Sequence, residues 1–115
     1  MDARARPHIE VIHADKIASV THAEARDGKV LSIGRGPECD LVVDGRFVSF
    51  AHAYIETERD DFFLVDASAN GTFLQTEDER VQYVHRGRVR LWGTGWIALG
   101  ETLHACEPVL FRETL

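Results

Sequence analysis

The sequence predicts an all-β fold, a sandwich or barrel of short strands, and three observations predict it. Short runs rich in β-branched and aromatic residues recur along the chain. Clusters of Gly, Pro, Asp or Asn separate these runs and supply turns. Apolar residues scarcely recur at the three- and four-residue spacing of an amphipathic helix. Many short strands at close spacing are the pattern of sandwiches and barrels.

Strands are expected at 8–13, 17–22, 29–33, 41–43, 53–58, 62–66, 72–75, 81–84, 88–92, 96–99 and 103–106. Turn signals fall between them at Asp27-Gly28, Gly34 to Pro37, Asp44-Gly45, Arg59 to Asp61, Asn70-Gly71 and Gly93-Thr94-Gly95. In 53–58 the alternation points Ala53 and Ile55 to the core and Glu56 and Glu58 to water. The next run, Phe62-Phe63-Leu64-Val65, is apolar at every position and is expected to lie centrally, covered on both faces. The 115 residues suit one domain over 1–115, large enough for its own core.

Composition narrows the function. Hydrophobic residues make up 44%, which excludes a disordered tail. Apolar runs such as 62–65 are far too short to span a bilayer, and no apolar stretch of signal-peptide length follows the start, so a cytoplasmic, non-membrane protein is expected. The formal net charge of -6 lacks the basic excess of nucleic-acid binders, so an anionic ligand needs a local basic pocket. Cys39 and Cys106 form no CxxC and read as buried free thiols. Six histidines make no close ligand pair, so no metal site is expected.

Three pieces carry chemistry, each in a connection between strands: Gly34-Arg35, Ser49-Phe50-Ala51-His52 and Asn70-Gly71-Thr72. Arg35 offers a guanidinium fork for an anion. Ser49 offers a hydroxyl donor, and Asn70 a carboxamide that pairs with an extended peptide backbone. Ser49, His52 and Asp66 do not make a hydrolase triad, since no Gly-x-Ser-x-Gly elbow is present. No P-loop exists either, because no Gly-Lys-Ser/Thr follows Gly34-Arg35-Gly36.

In this order and spacing, Gly-Arg, Ser-x-x-His and Asn-Gly-Thr resemble the signature of forkhead-associated (FHA) domains. Pro37 to Leu41, Asp66-Ala67-Ser68 and Leu99-Gly100 match as well, so the motif-bearing part covers about 31–100. The resemblance implies a sandwich of about eleven mostly antiparallel strands, related to the SMAD-like folds. It implies a phosphothreonine-peptide module with no enzymatic activity and no cofactor. Arg35 and Ser49 would hold the phosphate and Asn70 the peptide backbone, with Gly34, His52 and Gly71 as scaffold. His52 would lock the loops from a buried position.

Two positions depart from the family pattern. Phe50 stands where many members carry a second cation, and Ala69 where many carry Thr. A hydrogen bond to a charged group contributes about 1.5–3 kcal/mol. Losing one or two such bonds weakens binding by roughly ten- to a thousandfold. Arg46 is expected to reach back and supply the missing cation. Phe47 and Phe50 either select an apolar ligand residue or pack the loop. The alternative function is a docking or dimerisation module with a degraded pocket, independent of phosphate. The stretch 93–100 is also similar to FHA modules linked to bacterial nucleotide cyclases, which makes a cyclase or a kinase-linked protein a possible partner. Arg86, Arg88 and Arg90 form a stripe, paired with acids such as Glu77, Asp78 and Glu79 or serving a second acidic partner. Trp92 and Trp96 read as core or edge-covering residues rather than a base-stacking platform.

Overall fold

The computed structural model describes residues 7–114; the remainder of the expected 1–115 span, with Met1 to Arg6 and Leu115, lies outside the described residues. Eleven strands and one short helix follow one another: β1 (His8–His13), β2 (Lys16–Thr21), α1 (His22–Arg26), β3 (Leu31–Gly34), β4 (Leu41–Val42), β5 (Ala53–Glu58), β6 (Asp61–Asp66), β7 (Thr72–Gln75), β8 (Val81–Val84), β9 (Arg88–Leu91), β10 (Thr94–Leu99) and β11 (Val109–Thr114). They form a six-stranded sheet, β2-β1-β11-β10-β7-β8, and a five-stranded sheet, β4-β3-β5-β6-β9. Only the short β3–β4 pair is parallel. The inner faces meet in one core that includes Ile9, Val11, Ile55, Phe62, Leu64, Ile97 and Phe111, all fully buried. The fold is thus an all-β sandwich of eleven mostly antiparallel strands.

The alternation expected in β5 holds, with Ala53 and Ile55 buried and Glu58 exposed. In β6, by contrast, only Phe62 and Leu64 enter the core. Phe63 and Val65 point outward and are half-buried, and the Arg88 guanidinium lies 4.0 Å from the centre of the Phe63 ring. An arginine, not a second layer, covers that face.

Two expectations about secondary structure and one about burial need correction. The last strand is Val109–Thr114, and 103–106 is a turn closed by Ala105 N donating to Thr102 O (3.0 Å). Val109 and Phe111 supply the alternating inward pair that Leu103 and Cys106 do not. A helix also begins at His22. Thr21 caps it: its hydroxyl accepts from Glu24 N (3.0 Å), and Glu24 Oε1 accepts from Thr21 N (2.9 Å). This Thr-x-x-Glu box is a local signal, but five residues are too few to show a helical period. The cysteines are free, as expected, but both are half-buried rather than fully buried. Among the described residues no helix is long and apolar enough to cross a membrane.

The register gathers the functional loops. Ile33 pairs with Ala53, and Ala53 with Asp66, in one sheet; Leu99 pairs with Thr72 in the other. The end of β3, the start of β5, the end of β6, the start of β7 and the end of β10 therefore share one pole. The connections 35–40, 43–52 and 67–71 all emerge there.

Candidate functional site

His52 is fully buried at this pole and joins two of the three connections. Its Nδ1 accepts from Ser49 N (3.0 Å), and its Nε2 lies 2.9 Å from Gly71 O. A backbone N–H on one side and a carbonyl on the other require the neutral tautomer with the proton on Nε2. Burial pushes the imidazole pKa down; the Gly71 bond and the Asp66 charge only partly offset that effect. The ring stays neutral, and Nδ1 stays an acceptor.

Asp66 anchors the connection 67–71 as well. Its carboxylate accepts from Ser68 Oγ (2.7 Å), Thr72 Oγ1 (2.7 Å), Ser68 N (3.2 Å) and Arg86 N (2.8 Å). Burial pushes its pKa up, but the bonds from Thr72, Arg86 and Ser68 outweigh it and hold the carboxyl below its usual value. Ser68 Oγ in turn accepts from Gly71 N (2.7 Å). The turn that carries Asn70 is thus tied at Ser68, Ala69 and Gly71, which holds it in place.

Two glycines permit close approach of the loops. A Cβ on Gly34 would fall on the Phe50 carbonyl oxygen and 2.9 Å from His52 N. Gly71 has φ +87°, and a Cβ there would fall on the Tyr83 ring.

On this frame sit the ligand-facing groups. Arg35 N donates to Ser49 O (3.0 Å), and Arg35 Nε donates to Val48 O (3.0 Å). The Val48 bond fixes the guanidinium while leaving its two terminal nitrogens without a protein partner among the described residues. Ser49 Oγ accepts from Ala69 N (3.2 Å), so its own proton remains available. Asn70 Nδ2 makes a long 3.4 Å bond to Phe47 O, and Tyr83 OH donates to Asn70 O (3.0 Å). The fold thus brings Arg35, Ser49 and Asn70 onto adjoining loops. Arg46 is exposed on the same pole, its guanidinium 5.5 Å from the Phe47 ring centre. Phe50 is 56% exposed and Phe47 40% exposed. The Phe50 ring stacks on the Arg35 guanidinium, at 4.5 Å. Where a second cation was expected from the family pattern, an aromatic ring covers one side of the first.

The arginine stripe lies elsewhere and is paired with acids, though not those expected. Arg88 bonds Glu58 and Glu56 (3.3 Å), and Arg90 pairs with Asp61 (3.3 Å). Glu77 and Glu79 make no ion pair among the described residues, and Asp78 pairs with Arg80 (3.9 Å). Arg86 is not on β9 but in the preceding turn, where its Nε reaches Ser68 O (3.5 Å). Trp96 is 42% exposed on the outer face of β10, so it belongs to neither the core nor the loop pole. No group of three His, Cys, Asp or Glu among the described residues is placed to hold a metal.

Sequence reasoning gave no role to Ser68, Thr72, Tyr83 or Gly100. Ser68 and Thr72 lay inside recognised motif pieces. Gly100 N donates to Gly71 O (2.9 Å), and its φ of +81° and missing Cβ let Phe47 O approach. Gly100 lay in the recognised Leu99-Gly100 piece, whereas Tyr83 reaches the site through strand pairing, which no local motif reports.

The sequence model described as the FHA domain matches residues 31–92, more than half of the chain. Three solved structures are similar. FHA-1 of Mycobacterium tuberculosis Rv1747 is 18% identical, with TM-score 0.74 over 96% of this chain and 100% of that one. The N-terminal FHA domain of S. cerevisiae Rad53p, solved with a phosphothreonine peptide, is 22% identical, with TM-score 0.68 over 93% and 92%. Mycobacterium tuberculosis EmbR, solved with a low-affinity phosphopeptide, is 22% identical, with TM-score 0.63; the match covers 96% of this chain and 24% of EmbR. No curated protein matches the sequence.

Proposed function

The chain belongs to the FHA domain family, a family of non-catalytic binding modules, and from that premise we propose that it binds phosphothreonine peptides at the loop pole. The observation that carries this reading is the pair of unspent donors there. The Arg35 terminal nitrogens and the Ser49 hydroxyl proton have no protein acceptor among the described residues, while the loops that hold them are fixed from below by His52.

A phosphorylated threonine brings nearly two negative charges and three acceptor oxygens. In this reading Arg35 meets two of those oxygens through charge-assisted bonds, and Ser49 donates to the third. The Asn70 carboxamide swings from its long bond to Phe47 O and pairs with the ligand backbone. Arg46 adds charge from the next loop, and the exposed Phe47 and Phe50 rings favour an apolar ligand residue. Gly34, His52 and Gly71 act as scaffold. The partner is a protein phosphorylated by a threonine kinase. Two free thiols fit a cytoplasmic, reducing setting.

One observation favours a second reading. Phe50 lies over the guanidinium, and a ring in that place makes the pocket less cationic than a second Lys or Arg would. A phosphate-independent docking module, with a cyclase or kinase-linked partner, follows if that ring closes Arg35 to anions.

The experiment is an NMR titration of labelled protein with a degenerate phosphothreonine library and its unphosphorylated twin. Shifts confined to the phosphorylated arm and centred on Arg35, Ser49 and Asn70 are expected. Equal shifts with both libraries would select the docking reading.

A further inference from the structure

The outer face of the six-stranded sheet carries a straight apolar row, flanked at its Trp96 end by Leu103, His104 and Pro108 of the β10–β11 connection. Ile17, Ile12, Leu110 and Trp96 are successive register partners across β2, β1, β11 and β10. All four face away from the core, and Ile17 and Trp96 are 65% and 42% exposed. One pleat toward the opposite pole, Glu10 and Arg112 are register partners on the two middle strands. They form an ion pair, with Arg112 Nη2 2.7 Å from Glu10 Oε1.

We propose that this face is the interface with a second copy of the chain. The charge pattern argues for a copy rather than a foreign partner. A two-fold axis lying in the interface, along the strands and between β1 and β11, places Arg112 of one copy over Glu10 of the other, and the reverse. The same axis sets Ile12 against Leu110 and Ile17 against Trp96. An isologous interface requires this self-complementarity, and sheets pack face to face with strands nearly aligned. The axis sets four strands, β2, β1, β11 and β10, against their counterparts; at about 4.8 Å apart they give a face about 14 Å wide, a footprint on the order of 300 Å². A standard interface removes about 800 Å² from each partner, so this contact belongs to the small, transient kind.

An axis along the strands preserves the direction of the poles. Both loop clusters then point the same way, side by side. On the phosphothreonine reading above, a ligand with two phosphorylated threonines gains avidity from the pair.

Sedimentation velocity on the whole chain, from about 10 μM to about 1 mM as suits a transient contact, tests the interface without any ligand. The sedimentation coefficient is expected to rise with concentration. Ile17→Glu, at an exposed edge position, is expected to hold the chain monomeric, and so is Arg112→Glu. Adding Glu10→Arg to Arg112→Glu is expected to restore association. A wild-type monomer throughout, or association unchanged by Ile17→Glu, would overturn the proposal. In a second arm, a doubly phosphorylated peptide is expected to bind the wild type at least tenfold more tightly than Ile17→Glu does. Association without that gain overturns the shared-pole arrangement. Failure of every phosphopeptide to bind either protein overturns the phosphothreonine reading and leaves the interface standing on its own test.

Discussion

Two sets of arginines divide this molecule. On the sheet faces, Arg88, Arg90 and Arg112 each hold a carboxylate from a nearby strand. On the loop pole, Arg35 and Arg46 hold none among the described residues. Arg35 is instead bonded by its Nε to a carbonyl and stacked on Phe50. Both sets carry the same charge. An incoming anion must displace a carboxylate from the first set but meets free donors in the second. Availability, not the number of basic residues, marks the candidate site in a chain of net charge -6.

The difference extends to what lies beneath. The paired arginines rest on exposed surface, where ion pairs are screened and contribute little. The loop arginine rests on a buried polar network. Breaking that network should produce the largest effect. His52→Ala leaves Ser49 N without its partner, at about 1–3 kcal/mol, and takes from Gly71 O one of its two donors, the other being Gly100 N. A loss of about 1.5–4.5 kcal/mol in stability is expected by urea denaturation, with peptide binding lost alongside it. A variant of wild-type stability would mean that the ring does not join the loops.

Next in size is the pocket itself. Arg35→Ala should lower phosphopeptide affinity by about ten- to a hundredfold, since one or two charge-assisted bonds disappear. Its unfolding midpoint should move little, because Arg35 is exposed. Isothermal calorimetry and a melting curve measure the two quantities on the same sample.

Acid should also separate the regions. His52 has a lower pKa folded than unfolded, so the unfolded chain binds the proton first. Its contribution is complete above its ordinary value near 6.5 and declines as pH falls from there toward the folded value. Asp66, also lowered, adds a second loss below its ordinary carboxyl range, as pH falls through its folded value. Thermal melts without ligand, from neutral to acid pH, should show stability falling first below about pH 6.5. Asn at Asp66 should flatten the more acidic part of that curve.

Smaller effects sharpen the comparison. Arg46→Ala should weaken phosphopeptide binding several-fold, as expected for an exposed charge that contributes from a neighbouring loop. Arg88→Ala should leave affinity unchanged and serves as the paired-arginine control.

Much of this was legible locally. Gly34-Arg35, Ser49 to His52 and Asn70-Gly71-Thr72 sit at strand ends because turn residues and alternation place them there, and those signals lie within a few residues. What the sequence did not disclose depends on pairing between distant segments. Glu56 and Glu58, not Glu77 or Glu79, meet Arg88, because β6 lies between β5 and β9. Tyr83 reaches Asn70 because Phe73 pairs with Tyr83. The helix at His22 carried its Thr21 and Glu24 capping signal openly, but its length hid the period. Val109-Leu110-Phe111 was an available alternating run that Leu103 to Cys106 displaced.

The most direct measurement is the fluorescence anisotropy of a labelled degenerate phosphothreonine library titrated with wild type, Arg35→Ala and Arg88→Ala. Binding by wild type and Arg88→Ala, weakened at least tenfold in Arg35→Ala and absent for the unphosphorylated library, is the predicted result. Equal affinity of all three proteins, or equal binding of both libraries, would contradict the account.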